Sequence, residues 1–226
     1  MLGTDLDYFL YRLSVAIIPV LFAITVHEVA HGWSALQFGD TTAQRAGRLT
    51  LNPINHIDPI GTVAVPLTLL FFSSFTGNTM LFGWAKPVPV MFQNLRNPRR
   101  DMVIVAAAGP ASNLAMALGW AFLAFFAAPV LGNDGVAIEW INAVCRWGIL
   151  INCILAVFNM LPIPPLDGGR VLAGFLPPQS AYFLSRIEPF GFMIVLLLLF
   201  SGILWPLMEP FLLFFIDLFW TIAGFR

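Results

Sequence analysis

The chain has 226 residues, of which 59% are hydrophobic and 10% charged, with a mean hydropathy of +0.85. These values exclude a soluble globular domain and identify an integral membrane protein. With 11 Lys and Arg against 12 Asp and Glu, there is no basic surplus, which sets nucleic-acid partners aside.

The first apolar span covers residues 8–38, long enough to cross a bilayer with residues to spare, and Gly39-Asp40 closes it. Asp5 and Asp7 stand where a signal peptide would carry basic residues, so the span is read as permanent. Pro19 interrupts its hydrogen-bond ladder about two turns before His27-Glu28-Val29-Ala30-His31. Two imidazoles one helical turn apart, with a carboxylate beside the first, form half of a zinc site and the base that uses it. Inside hydrocarbon such a trio is costly, and it marks function.

Further along, Leu49 and Leu51 alternate with Arg48, Thr50 and Asn52 in the period of a strand, which predicts a short strand over 46–53. His56 follows in a basic loop and reads as a solvated histidine. Residues 60–75 are apolar but short for a crossing. In 83–90, Pro87 and Pro89 forbid a helix interior and blank one edge of an extended chain, leaving the other free to pair. Together 59–92 is expected to form a re-entrant hairpin, tolerated where it is buried in protein or lines a wet cavity. Arg96, Arg99 and Arg100 then introduce a third apolar region, 102–130, containing Gly109-Pro110-Ala111-Ser112-Asn113. An acidic loop, 131–139, leads to a fourth region, 140–161, which runs into Asn159-Met160-Leu161-Pro162-Ile163-Pro164-Pro165-Leu166-Asp167-Gly168-Gly169-Arg170. Cys145 and Cys153 fall about 12 Å apart along that helix, too far to bridge, and are read as packing residues. Two last apolar stretches, 190–205 and 207–225, are separated by Pro206.

Basic residues cluster in 45–48, 86–100, 170–186 and at Arg226, whereas the N-terminus and the 131–139 loop are acidic. The positive-inside rule therefore sets the N-terminus outside and the C-terminus in the cytoplasm. The expected fold is an all-α polytopic membrane protein with about five transmembrane helices plus a re-entrant segment with short β-strands. It forms a single domain over 1–226, with a catalytic core at about 8–170 and accessory helices at about 180–226. On this topology the first and fourth spans both run inward, so Asp167 arrives at the depth of the histidine pair. His27, His31 and Asp167 make the three protein ligands of a catalytic zinc, and Glu28 the base that polarises its water.

The pair His27-Glu28-Val29-Ala30-His31 and Asn159-x-x-Pro162-x-Pro164-x-x-Asp167-Gly168-Gly169 resembles the site-2 protease family of intramembrane zinc metalloproteases. Gly109-Pro110-Ala111-Ser112-Asn113 and Gly83-Trp84-Ala85-Lys86-Pro87-Val88-Pro89-Val90 are also similar to family segments. The resemblance implies a three-helix core, one zinc ion held by His27, His31 and Asp167, and Glu28 as base. It also implies cleavage within the transmembrane segments of single-span proteins or peptides, in regulated intramembrane proteolysis or in clearance of signal-peptide remnants. Family members often carry PDZ or CBS modules, and a compact form without either is expected here. Asn113 and Asn159 are candidates for binding substrate backbone or the developing oxyanion. The expected location is the bacterial inner membrane. The competing functions are an intramembrane metal-ion or proton transporter and a non-cleaving binder of membrane helices.

Overall fold

The structure is a computed structural model that describes residues 2–65, 68, 83–132 and 135–225. Five of its helices are long and apolar enough to cross a membrane. The first, α1 (Leu2–Gln37), carries Pro19 and the histidine pair. A single turn, α2 (Thr42–Arg45), precedes the loop that leads to the long helix α3 (Pro98–Leu131). Helix α4 (Val136–Asn159) follows, then the short α5 (Asp167–Phe175), α6 (Pro178–Phe200) and α7 (Leu204–Ala223).

Helices α1, α3 and α4 pack into the unit that holds the site. Asn113 of α3 bonds to Ala23 and His27 of α1, while Val105 meets His31, so α3 runs antiparallel to α1. Trp140 at the start of α4 donates to Ser14 early in α1, and Asn152 lies level with Asn113, so α4 runs parallel to α1. Close approach is possible because α3 presents Ala117, Ala121 and Ala124 on one stripe, all buried in a cluster with Cys145, Ile149 and Cys153 of α4 and Met208, Leu212 and Phe219 of α7. Both cysteines are buried and unpaired, in keeping with their reading as packing residues.

One expectation is corrected here. No strand is present among the described residues. Over 46–53 the backbone is consumed locally: Ala46, Gly47 and Arg48 donate back into the α2 turn, and Asn52 caps a 3-10 turn at Pro53–His56. Residues 83–90 form no regular element, and the N–H groups of Trp84, Lys86 and Val88 are taken singly by scattered acceptors instead of a ladder. The middle of the expected re-entrant hairpin, residues 66–67 and 69–82, lies outside the described residues. Its described ends meet: a π-helical turn at Pro59–Ala64 begins at Asp58, Gly61 O accepts from Trp84 N, and Thr62 Oγ1 donates to Trp84 O.

The end of the chain packs against α4. The Arg146 guanidinium lies over the rings of Trp220, at 5.6 Å, and Phe225, at 4.0 Å. Arg146 precedes Asn152 by about 9 Å along α4, so Phe225 packs beside the half of α4 remote from Asp167.

Candidate metal centre

The spacing of His27 and His31 on α1 places both rings on one face, with centroids 4.6 Å apart and planes nearly perpendicular. Their Nε2 atoms are 3.0 Å apart. The loop after α4 delivers Asp167 to them as the first residue of α5, with Oδ2 at 3.3 Å from each Nε2. Prolines at 162, 164 and 165 keep this loop from continuing α4. At Gly168 a side chain would strike the Met160 carbonyl, its Cβ falling 2.2 Å from the oxygen, so only glycine lets the loop fold back this tightly.

The outer ring nitrogens define what the inner ones offer. His31 Nδ1 is 2.8 Å from the carbonyl of Val105, which can only accept, so Nδ1 carries the hydrogen and Nε2 is a bare lone pair. Pro110 interrupts the α3 ladder at this turn. His27 Nδ1 is 2.6 Å from Oδ1 of the fully buried Asn113 and is held in the same way. Two nitrogen lone pairs and a carboxylate oxygen therefore converge with no hydrogen between them, and Asp167 Oδ2 is buried without a donor. Left alone, that arrangement is repulsive, and a cation relieves it. Ligand atoms around a tetrahedral zinc stand about 3.3 Å apart, close to the 3.0, 3.3 and 3.3 Å found here. These three residues can hold a metal ion. Space for the rings depends on Gly109, where a Cβ would fall 2.3 Å from His31 Nε2.

Glu28 is half-buried beside the centre, and its Oε2 accepts from the Val88 N–H at 2.7 Å. With His27 it lines a cavity of about 270 Å3 bounded by Gly83, Trp84, Asn159, Pro165 and, from α6, Phe192 and Val195. Gly83, Trp84 and Ala85, at the start of the segment 83–91, form one wall. Trp84, Lys86 and Val88 donate to Gly61 O, His56 O and Glu28, so the edge that prolines leave pairable is used by the chain itself. The segment's end is fixed by Asp40, fully buried, whose carboxylate accepts from Met91 N, Asn94 Nδ2 and both donors of Thr42. Burial raises the Asp40 pKa, but the hydrogen bonds from Thr42, Asn94 and Met91 outweigh it and hold the carboxyl below the usual range.

The residues singled out from sequence are thus distributed unequally. His27, His31, Asp167 and Glu28 come together. Asn159 reaches the same cavity, its Nδ2 donating to Leu155 O. Asn113 faces His27 with its amide fully engaged, which leaves nothing for substrate. His56 is 2% exposed rather than solvated, with Nε2 on Thr50 O.

The model of peptidase family M50 matches residues 130–201, a stretch that holds Asp167 but not the histidine pair. The chain is 35% identical over 217 residues to "Putative zinc metalloprotease YwhC" of Bacillus subtilis, the match covering 90% of this chain and 92% of that protein. The chain belongs to peptidase family M50. A second relative of this M50 chain, "Putative zinc metalloprotease Rip2" of Mycolicibacterium smegmatis, is 30% identical over 181 residues, and the match spans 79% of this chain and 64% of the relative. "Putative zinc metalloprotease MJ0611" of Methanocaldococcus jannaschii is 43% identical over 68 residues, 30% of this chain and 31% of that protein. No solved structure matches. M50 membership and the five apolar helices together make this a multi-pass integral membrane protein. Sequence reasoning missed three parts of the M50 site: Asp40, the Val88 N–H and Asn152. Backbone donors carry no sequence signal, and a lone asparagine within an apolar helix was the one available clue to Asn152.

Proposed function

We propose that this protein is a zinc-dependent intramembrane endopeptidase that cleaves the transmembrane segments of membrane-anchored substrates. The observation that carries this reading is the convergence of His27, His31 and Asp167 at 3.0–3.3 Å, with Glu28 lining the cavity beside them. Zinc fits the donor set, and relatives carry it in their names. When bound, it supplies a Lewis acid that acidifies water and polarises a carbonyl.

The protein's own groups do the rest. Val88 N–H holds Glu28 by one oxygen, leaving the other to take a proton from the attacking water as the C–O bond forms. When the scissile C–N bond breaks, Glu28 returns that proton to the leaving amine. Asn159 can donate through Nδ2 to the substrate carbonyl, or accept through Oδ1 from its neighbouring amide, from across the cavity. A helical substrate hides its amides and must unwind before it is cut. With the N–H groups of Trp84, Lys86 and Val88 used within the chain, an unwound strand would meet the Ala85 N–H and the carbonyls of Ala85, Pro87 and Pro89. This edge mainly accepts, and it selects a substrate stretch that offers free N–H groups and contains no proline. The N-terminus is assigned to the outside, with Asp167 toward the cytoplasmic side of a bacterial inner membrane, from the basic loops that flank the site.

The test compares purified wild type and Glu28→Gln, both loaded with zinc, on single-span test substrates. Product formation should fall by about 10²–10⁴-fold in Glu28→Gln while bound zinc is retained, and His31→Ala or Asp167→Ala should lose the metal. Equal product from wild type and Glu28→Gln would sink the protease mechanism.

A further inference from the structure

We infer that Asn152 on α4 is a positioning residue for the metal centre, setting the ring state of His27 through Asn113. The inference rests on the zinc reading above and extends it to a residue that touches neither metal nor substrate.

The logic follows hydrogen-bond polarity. Asn152 Nδ2 donates to the Gly148 carbonyl at 2.8 Å. A carbonyl cannot donate, so the amide has one permitted orientation, and Oδ1 of Asn152 must face α3. There it accepts from Asn113 Nδ2 at 2.9 Å, and the same Nδ2 group reaches Ala23 O at 3.2 Å. Both partners of that group are acceptors. Asn113 is therefore oriented in turn, and its Oδ1 is presented to His27 Nδ1 at 2.6 Å. An oxygen there requires Nδ1–H, which leaves Nε2 bare and directed at Asp167 and His31. Both asparagines are 0% exposed, so water does not compete for any link.

The two histidines are thus prepared differently. His31 is oriented in one step by the Val105 carbonyl, whereas His27 relies on two side-chain amides whose polarity originates at Gly148. Without Asn152, the Asn113 amide is held only by the longer bond to Ala23. A flip would then present NH2 to His27 and shift its hydrogen to Nε2, where it blocks the ligand position. Asn152 also lies on the helix whose end delivers Asp167, so one relay ties two ligands together.

The test uses full-length protein in detergent micelles, with zinc affinity measured by chelator competition and 15N-labelled histidine spectra of the metal-free form. The chain has three histidines, and His56, bonded through Nε2, serves as an internal reference. Wild type should show His27 as a single Nδ1–H form. Asn152→Leu should weaken zinc about tenfold and give a mixture of the two His27 ring forms. In Asn152→Asp the protonated carboxyl can donate to Gly148 and accept from Asn113, so it should restore the wild-type affinity and spectrum. Asn152→Ala removes the same acceptor and carries the same expectation should the leucine variant fail to fold. Wild-type affinity and a single ring form in the leucine or alanine variant would overturn the inference, as would an aspartate variant impaired like leucine. If wild type itself binds no zinc, or His31→Ala binds it equally, the zinc reading fails instead.

Discussion

The helices that hold the ligands and the helix that closes the cavity over them are packed by different means. Helix α3 buries residues from Asp101 to Ala124 along its inner face, and its polar contacts to α1 and α4 are sealed from water. Helix α6 buries only Gly191 and Val195. It meets the site through Gly191 against Pro164, an edge contact between Phe192 and Trp84 at 5.5 Å, and an Arg170–Glu188 pair at 3.4 Å that is about 40% exposed. Breaking a contact on the ligand side strands a buried polar group, which costs about 1–3 kcal/mol. An exposed ion pair on the α6 side is worth about 0–1 kcal/mol. The ligand side is built to stay in place, and the α6 side separates at much lower cost.

The contrast can be broken from either side. The largest effect is expected at Gly109→Ala, whose Cβ would fall 2.3 Å from His31 Nε2. Zinc affinity should drop at least about 10–100-fold, measured by chelator competition, and an unchanged affinity would mean that the ligand side yields as readily as α6. Asp40→Ala should lower stability by about 1–3 kcal/mol in denaturant titrations, because the N–H of Met91 loses its acceptor. The pH dependence has a definite sign. The folded Asp40 carboxyl titrates below its unfolded value, so its contribution is present above about pH 3.9 and is lost as pH falls through the lowered folded pKa. Asp40→Asn should flatten that acid limb.

On the other side, Phe192→Ala should cost about 0.5–1.5 kcal/mol for the lost ring contact. It should change KM for a transmembrane substrate while leaving zinc content untouched. Loss of zinc in this variant would tie α6 into the metal centre and erase the distinction. The smallest effect belongs to Glu188→Gln, below about 1 kcal/mol and fading with added salt. Amide exchange should be faster along α6 than along α3 in the same sample, and equal protection would contradict the comparison.

Legibility in the sequence follows the same division. His27, Glu28 and His31 could be paired with Asp167 because ionisable groups are rare in apolar spans, and helical spacing brings i and i+4 together without help from the rest of the chain. Asn113 was visible as a polar residue, but its role was not, since the direction of an amide depends on partners from two other helices. The prolines at 87 and 89 suggested an edge strand with one usable face, but no strand forms among the described residues. Which side remained open was decided by Gly61, His56 and Glu28, whose approach no local pattern encodes. His56 was misread as solvated because a basic loop ordinarily lies in water, whereas here the loop folds under 83–91.

By itself, then, the sequence determined the membrane class and the five long apolar helices and singled out the His27, Glu28 and His31 trio, all of which depend on composition and on spacing within single elements. The tertiary structure decided the direction of the Asn152–Asn113–His27 hydrogen bonds, the side on which the segment 83–91 bonds to the rest of the chain and the position of Phe225 beside Arg146. Each of these is a contact between residues distant in the chain, where the hydrogen-bonding capacity of one element is meaningful only once its partner is in place.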